Sequence, residues 1–399
     1  MDNYEYERYR QRRNYNRRVT HKKRTRNRII IVSVLLLLLI LAIFLITSIF
    51  KLIIGAFTGS SSSQETTVVE TTIEPTTAAP DMKNAANFTY EKPDIKDDGK
   101  STGQDSGGIY VWDKKGFELF YGTEEMAQRY AELMNKAAES LGKKIKTYSM
   151  IVPNHTEFGL PERFKSGDDP AVTTLSQLDY VKAGYLAMSK SVVPVNVYNE
   201  LSKHCNEYIY FNSDHHWTGL GAYYAYKAFA ETADLKPISL EDCEEKVVEG
   251  FTGTFNNMAS VPLATDDVHY WQFPYSVPDE ITDSDGNTNE FESCYYDDAT
   301  GGDYTYSVFL YGDNPLEVIK SSSKAASKEK IAIVHESYGN AFTPYLTYNF
   351  SEVYSIDFRS WNGNLKEFCD ENGISNVLFL NGVMSSATQV QLDSIERML

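Results

Sequence analysis

An α/β fold with a mostly parallel sheet and helices on both faces is what this sequence predicts. Three observations predict it. The apolar runs KIKTYSMIVP (144–153), KIAIVH (330–335), SEVYSIDF (351–358) and ISNVLFLN (374–381) have the length of buried strands. Segments of helical spacing alternate with such runs, the rhythm of strand–helix–strand units. A chain of 399 residues without a repeat of solenoid or propeller length is enough for one large domain, or two small ones, with a proper core.

The helices are read from apolar spacing and stop signals. Residues 123–142 place Met126, Tyr130, Leu133, Met134 and Ala137 on one side and close at Gly142. Residues 218–234 form a second helix, and 365–373 a short one between the last two strands. VVPVNVY (192–198) and EYIYF (207–211) read as further short strands. From about 247 to 312 the rhythm breaks into a stretch rich in Gly, Asp, Asn, Tyr and Trp. It reads as an insertion of short strands and long loops, either a wall of a substrate groove or a surface elaboration.

Charge divides the chain. The formal net charge is −17, yet residues 1–28 hold 11 Lys/Arg against 3 Asp/Glu, a net of +8, which leaves −25 on residues 29–399. Residues 29–50 carry no charge, and as a helix they would be about 33 Å long, enough to cross a bilayer core. The expectation is a basic cytoplasmic arm (1–28) and one N-terminal transmembrane helix (29–50), with the rest outside. An uncleaved signal-anchor is preferred, because the lead and the apolar core exceed the usual signal pattern; cleavage after Gly55 or Ala56 is the alternative. Residues 51–108, rich in Ser, Thr and Pro, read as a disordered linker, and 109–399 as the extracytoplasmic domain. Cys205, Cys243, Cys294 and Cys369 are widely spaced, form no metal-knuckle pair, and leave their pairing open.

The chemistry concentrates in two segments. In YFNSDHHWTG (210–219) an extended backbone puts Asp214 and His216 on one side and His215 on the other. That geometry disfavours a compact Asp–His–His metal set and favours a carboxylate orienting an imidazole. A metal hydrolase using Asp214, His215 and His216 needs further ligands, and only seven histidines exist, one of them in the basic arm. KIAIVHESYGNAF (330–342) supplies a strand-to-helix junction at Ser337, where α/β folds expose a nucleophilic hydroxyl. Ser337 needs a base such as His216, and the N–H groups around Tyr338 and Gly339 are placed to face an oxyanion. His335 is an alternative base, and His215 reads as structural. Trp217 reads as packing for the next helix, with sugar stacking as the alternative. Asn154 and His155 receive no role.

The segments IYFNSDHHWTGLGAYYAYKAF, HESYGNAFTPYL, VYSIDFR and NVLFLNG resemble the DHHW family of exported bacterial proteins. That family is similar to the SGNH hydrolase-like domains of the alginate O-acetylation proteins, and the likeness spans about residues 110–399. The resemblance implies a circularly permuted SGNH hydrolase-like fold and acetyl transfer or hydrolysis on surface carbohydrate. It assigns Asp214 as orienting carboxylate, His216 as base and Ser337 as nucleophile. By position it makes Tyr338, Gly339, Arg359 and Asn381 substrate or oxyanion residues. His335, and Glu336 in place of an Asp, depart from the pattern, as do Asn212 and Ser213.

The resulting expectation is a membrane-anchored serine O-acetyltransferase or acetylesterase acting on cell-surface polysaccharide (exopolysaccharide) through a Ser-His-Asp triad. It needs no metal or organic cofactor. Its partners are cell-surface carbohydrate, a membrane acyl-donor protein, and the membrane through residues 29–50, with no nucleic acid. The implied localisation is the bacterial plasma membrane, single-pass, with the N-terminus cytoplasmic and the C-terminal domain extracellular. A noncatalytic glycan-binding or envelope-assembly protein retaining the fold is the alternative, since 28 Tyr and 20 Phe serve sugar stacking as readily as packing.

Overall fold

The computed structural model describes residues 85–167 and 170–399. Its strands are β1 (Gln104–Ser106), β2 (Ile109–Trp112), β3 (Lys115–Phe117), β4 (Lys146–Val152), β5 (Val192–Pro194), β6 (Glu244–Phe251) and β7 (Asp266–Gln272), then β8 (Asp279–Thr282), β9 (Thr288–Phe291), β10 (Leu316–Lys320), β11 (Ser327–His335), β12 (Phe350–Asp357) and β13 (Asn376–Gly382). The helices used below are α1 (Glu124–Leu141), α2 (Gln177–Ala187), α3 (Gly219–Thr232), α4 (Tyr338–Leu346), α5 (Leu365–Asn372) and α6 (Gln389–Glu396).

The apolar runs build one sheet with two cores. Along β11, Ile331 and Ile333 join Met150, Leu378 and Leu380 on one face, while Ala332 and Val334 join Ile151, Val377 and Phe379 on the other. Side chains alternate along a strand, so a run that is apolar at every position needs both faces covered. Phe229 of α3 and Phe342 of α4 cover the first face. Tyr130 of α1, Tyr185 of α2, Leu365 of α5 and Ile395 of α6 cover the second. Each such fully buried side chain contributes about 1.5–3 kcal/mol.

Helix ends follow their capping residues. Thr123 accepts a hydrogen bond from the Met126 N–H, Glu124 and Glu125 sit in the first turn, and Gly142 ends α1 at φ 76°. Thr218 caps α3 by accepting from the Gly221 N–H and donates to the Tyr208 carbonyl, so the helix starts directly after the DHHW segment.

The sheet is mixed, which corrects the expected mostly parallel one. Its order is β5-β4-β13-β11-β12-β10-β8-β9. The strands from β5 to β12 are parallel, whereas β10, β8 and β9 each pair antiparallel to their neighbour. The physical reason is connection length. A parallel pair needs a crossover, but β8 and β9 are joined by a tight turn in which Asp283 accepts from the Asn287 N–H. The run EYIYF is also not a strand: the chain there folds back on itself, with a single bridge from Tyr210 to Trp217. VVPVNVY splits into β5 and a helix from Val197 to Lys203.

The membrane part of the expectation is corrected too. Among the described residues no helix is long and apolar enough to cross a membrane, so a membrane anchor, single-pass topology, membrane attachment and the localisation derived from them have no support in this fold. The arm 1–28 and the run 29–50 lie outside the described residues. Within 51–108, Tyr90 packs edge-on against Tyr198, and Arg163 pairs with Asp97. Isolated aromatic anchors are diluted in a window that averages to polar.

One buried pair stands out where the antiparallel strands meet. Asp279 of β8 and Glu317 of β10 are 2 % and 1 % exposed, and Asp279 lies opposite Ile319, which puts it diagonal to Glu317 on one face. Asn314 donates to one Glu317 oxygen, while the other and both Asp279 oxygens receive no hydrogen bond. Burial raises both carboxyls, and ionised Asp279 adds its repulsion at Glu317. The folded pKa values therefore lie above the unfolded ones. Their contribution to stability is complete below the ordinary carboxylate range of about 4 and is lost as pH climbs through the raised values. Urea midpoints of the wild type should fall between about pH 5 and pH 8.5, and Asp279→Asn should fall less over the same interval.

Candidate active site

The DHHW segment is held as the tip of a self-closed loop. The Phe211 N–H donates to the His216 carbonyl and the Thr218 N–H to the Ile209 carbonyl, so residues 212–215 project from a narrow neck. The buried carboxylate of Asp266 pins that tip. It accepts from Tyr208 Oη, from the N–H and Nδ2 of Asn212, and from the N–H and Oγ of Ser213. A buried carboxylate left without donors is costly, so these bonds fix the loop as firmly as packing does.

The loop presents Asp214, and residues 253–254 complete its surroundings. One carboxylate oxygen, Oδ1, lies 2.6 Å from His216 Nδ1. The other, Oδ2, accepts from the Thr254 N–H at 2.7 Å and Thr254 Oγ1 at 2.9 Å. Burial pushes the Asp214 carboxyl up, but the neighbouring His216, His215 and the Thr254 N–H outweigh it and hold the group well below the usual carboxylate range. His216 Nε2 lies 2.8 Å from Ser337 Oγ. The ring of Tyr306 stacks on the imidazole with centroids 4.2 Å apart and donates its hydroxyl to the Ser337 carbonyl. Ser337, His216 and Asp214 thus form one hydrogen-bonded chain across two distant segments.

Glu336 organises the turn that carries Ser337. Its carboxylate accepts from the Tyr338 N–H at 2.9 Å and from the Gly382 N–H at 2.8 Å, which ties the start of α4 to the end of β13. Burial raises its pKa against these two bonds. The Gly339 N–H donates to the Glu336 carbonyl. Both amides expected at an oxyanion are therefore already engaged, whereas the Ser337 N–H makes no hydrogen bond among the described residues. His335 is also occupied, with Nε2 2.7 Å from Ser355 Oγ and Nδ1 2.7 Å from the Glu336 carbonyl. It faces away from Ser337. A Cβ on Gly339 would stand 2.2 Å from the His335 ring, so only glycine fits there.

A cleft of about 220 Å³ opens over Ser337, lined among others by Glu118, Asn154, His215, Arg359 and Gly382. Arg359 lies in its wall, paired with Asp357 and Asp313. Asn381 does not: it is fully buried on the opposite face, where it accepts from Tyr130 Oη and donates to Ser385 Oγ. Strand alternation sends Asn381 away and leaves Gly382 at the cleft. Asn154 is the residue that sequence reasoning left without a role. Its Oδ1 accepts from the Thr156 N–H and Gln177 Nε2, which fixes the amide, and Nδ2 donates to the Glu118 carbonyl. An Asn directly after a strand at this sheet edge was the available signal.

His215 also differs from expectation. The segment bends, and the His215 ring lies 3.9 Å from that of His216, with Nδ1 3.5 Å from Asp214. Donor atoms of Asp214, His215 and His216 all fall within 4.8 Å, which overturns the argument that neighbouring side chains diverge too far to hold a metal. Trp217 is buried and donates to the Tyr338 carbonyl, joining the loop to the serine helix.

The model of the family described as DHHW protein matches residues 87–356, more than half of the chain. The chain belongs to this family. A crystal structure of a DHHW family protein from Eubacterium siraeum is 28% identical with a TM-score of 0.66, over 75% of this chain and 98% of that one. Bacillus cereus PatB1 with a sulfonyl adduct is 17% identical with a TM-score of 0.59, over 71% of this chain and 97% of that one, a likeness of fold alone. The O-acetyltransferase domain of Pseudomonas putida AlgJ is 13% identical with a TM-score of 0.42, over 75% of this chain and 99% of that one. No curated protein matches in sequence.

Two substitutions test this architecture. Gly339→Ala should destabilise the fold by about 1–3 kcal/mol, read from denaturant midpoints, because backbone and His335 must separate. Asp266→Ala should cost about 3 kcal/mol or more, since it strands the buried donors of Asn212 and Ser213.

Proposed function

We propose that this DHHW family protein performs serine-dependent acyl ester chemistry, transfer or hydrolysis, on a carbohydrate. The observation that carries the reading is the continuous chain from Ser337 Oγ to His216 Nε2 and from His216 Nδ1 to Asp214, ending in an open cleft. Ser337 Oγ attacks the acyl carbonyl as its proton passes to His216 Nε2, and Asp214 holds the imidazole by Nδ1–H. Collapse of the tetrahedral adduct breaks the ester bond. The leaving oxygen takes the proton from His216, and the acyl group stays on Ser337. An acceptor hydroxyl, from water or a sugar, then gives its proton to His216, attacks, and restores Ser337. The developing oxyanion is assigned to the Ser337 N–H and the Asn154 amide. Both are within the cleft wall, while the amides of Tyr338 and Gly339 are held by Glu336.

A second reading rests on the Asp214, His215 and His216 donors within 4.8 Å of one another. There Asp214, His215 and His216 would hold a divalent metal, which would supply Lewis acidity toward a water. Such binding would draw on the same Asp214 and His216 that make up the serine chain, so the two readings compete for these side chains.

Full-length protein should be labelled at Ser337 by a fluorophosphonate, seen by intact mass, and should turn over a chromogenic acyl ester. Ser337→Ala should abolish labelling and lower turnover by at least ~10³-fold. Asn154→Ala should lower kcat by ~10²–10³-fold with labelling retained at a reduced rate. Activity that disappears with a chelator and persists in Ser337→Ala would replace this reading with the metal one.

A further inference from the structure

Besides His215, the charged residues that line the cleft over Ser337 are the acids Glu118 and Glu336 and the cation Arg359, which is paired with carboxylates behind its own wall. Arg359 Nε and Nη2 donate to Asp357 at 2.8 and 2.6 Å, and Nη2 also meets Asp313 at 3.2 Å. Two carboxylates against one guanidinium leave this wall with a net negative charge. Asp313 also accepts from Asn340 Nδ2, and the Arg359 guanidinium that it meets is shared with Asp357.

Glu118 stands in the same cleft in a different state. Its carbonyl accepts from Asn154 Nδ2 and Thr156 Oγ1, which anchors its backbone beside the proposed oxyanion donor. Its side-chain carboxylate has no hydrogen-bond or ion-pair partner among the described residues, although it is half-buried. Burial raises its pKa, as an unpaired carboxylate requires, with His215 opposing the rise and Asp214 adding to it. A half-buried acceptor with no donor from the protein is open to donors from a ligand in the cleft. The sequence places Glu118 just after β3, in a stretch that presented no motif.

Resting on the acyl ester reading, we propose that Glu118 selects the carbohydrate: its carboxylate takes hydroxyl or ammonium donors from a neutral or amino sugar and rejects a uronate. A sugar carboxylate entering this cleft meets the unpaired Glu118 carboxylate and an Arg359 whose charge is already opposed by Asp357 and Asp313. A vicinal diol or an ammonium instead gives Glu118 the donors it lacks. Like charges juxtaposed in a partly desolvated site discriminate strongly, whereas matched donors bind at little cost.

The test compares kcat/KM on O-acetylated neutral, amino-sugar and uronate oligosaccharides, with a small uncharged chromogenic ester run alongside. Wild type should prefer the neutral and amino-sugar substrates over the uronate by at least ~10-fold. Glu118→Gln, nearly isosteric, should shrink that ratio severalfold by raising kcat/KM on the uronate. Glu118→Lys should reverse it. Equal wild-type rates on all three, or a ratio unmoved in both variants, with the small ester still turned over, overturns the role of Glu118 alone. Loss of Ser337 labelling and of small-ester turnover in the wild type overturns the acyl reading, and this inference with it.

Discussion

A carboxylate removed from water must be given donors, and two such groups in this protein dictate where everything near the cleft sits. Asp266 gathers the hydroxyl of Tyr208 and the amides and side chains of Asn212 and Ser213, so the loop before Asp214 has one conformation. Asp214 then has its own oxygens divided between His216 and Thr254. The close passage of Gly253, whose Cβ would meet the Ser213 carbonyl at 2.3 Å, is what lets Thr254 reach. The stretch between about 247 and 312, which breaks the strand–helix rhythm, therefore supplies half the donors of the buried Asp214 and the Tyr306 ring that stacks on His216.

The serine side repeats the same logic with a different acid. Glu336 bridges the start of α4 and the end of β13 by accepting one N–H from each, and this sets the angle at which Ser337 leaves the sheet. The first amides of α4 are consumed in holding the turn. That explains why the oxyanion assignment moves to Ser337 itself and to Asn154, whose amide is locked by Gln177. Trp217 closes the circuit by bonding the Tyr338 carbonyl, so loop and turn are registered by a direct contact.

Much of this was legible in the sequence, and the failures are instructive. The runs that became β4, β11, β12 and β13 were readable because strands buried on both faces are apolar throughout. The helices were readable from spacing and from stops such as Gly142. The antiparallel edge was not, because β8, β9 and β10 alternate weakly and are specified by turns such as that at Asp283. EYIYF misled because Tyr208 and Tyr210 use their hydroxyls on Asp266 and the Pro153 carbonyl instead of adding a ladder. Ser337, Asp214 and His216 were singled out by motif and do meet in the structure, but Asn381 was placed on the wrong face by one residue of strand register. Glu118 has no local signature and Asn154 only its place after a strand, since their significance lies in what they meet across the cleft.

The contact between His216 and Ser337 spans 121 positions of the chain. Between them lie the mixed sheet's antiparallel edge and the hairpin of β6 and β7, all of which must be in place before the two side chains meet. Contacts of such long separation are closed late, because chain entropy is spent before they return any stabilisation. A nascent or partly folded chain thus carries a serine with no base beside it. On the proposed acyl ester reading, the site is assembled only once the domain is complete, and the order of folding itself would guard against premature reaction.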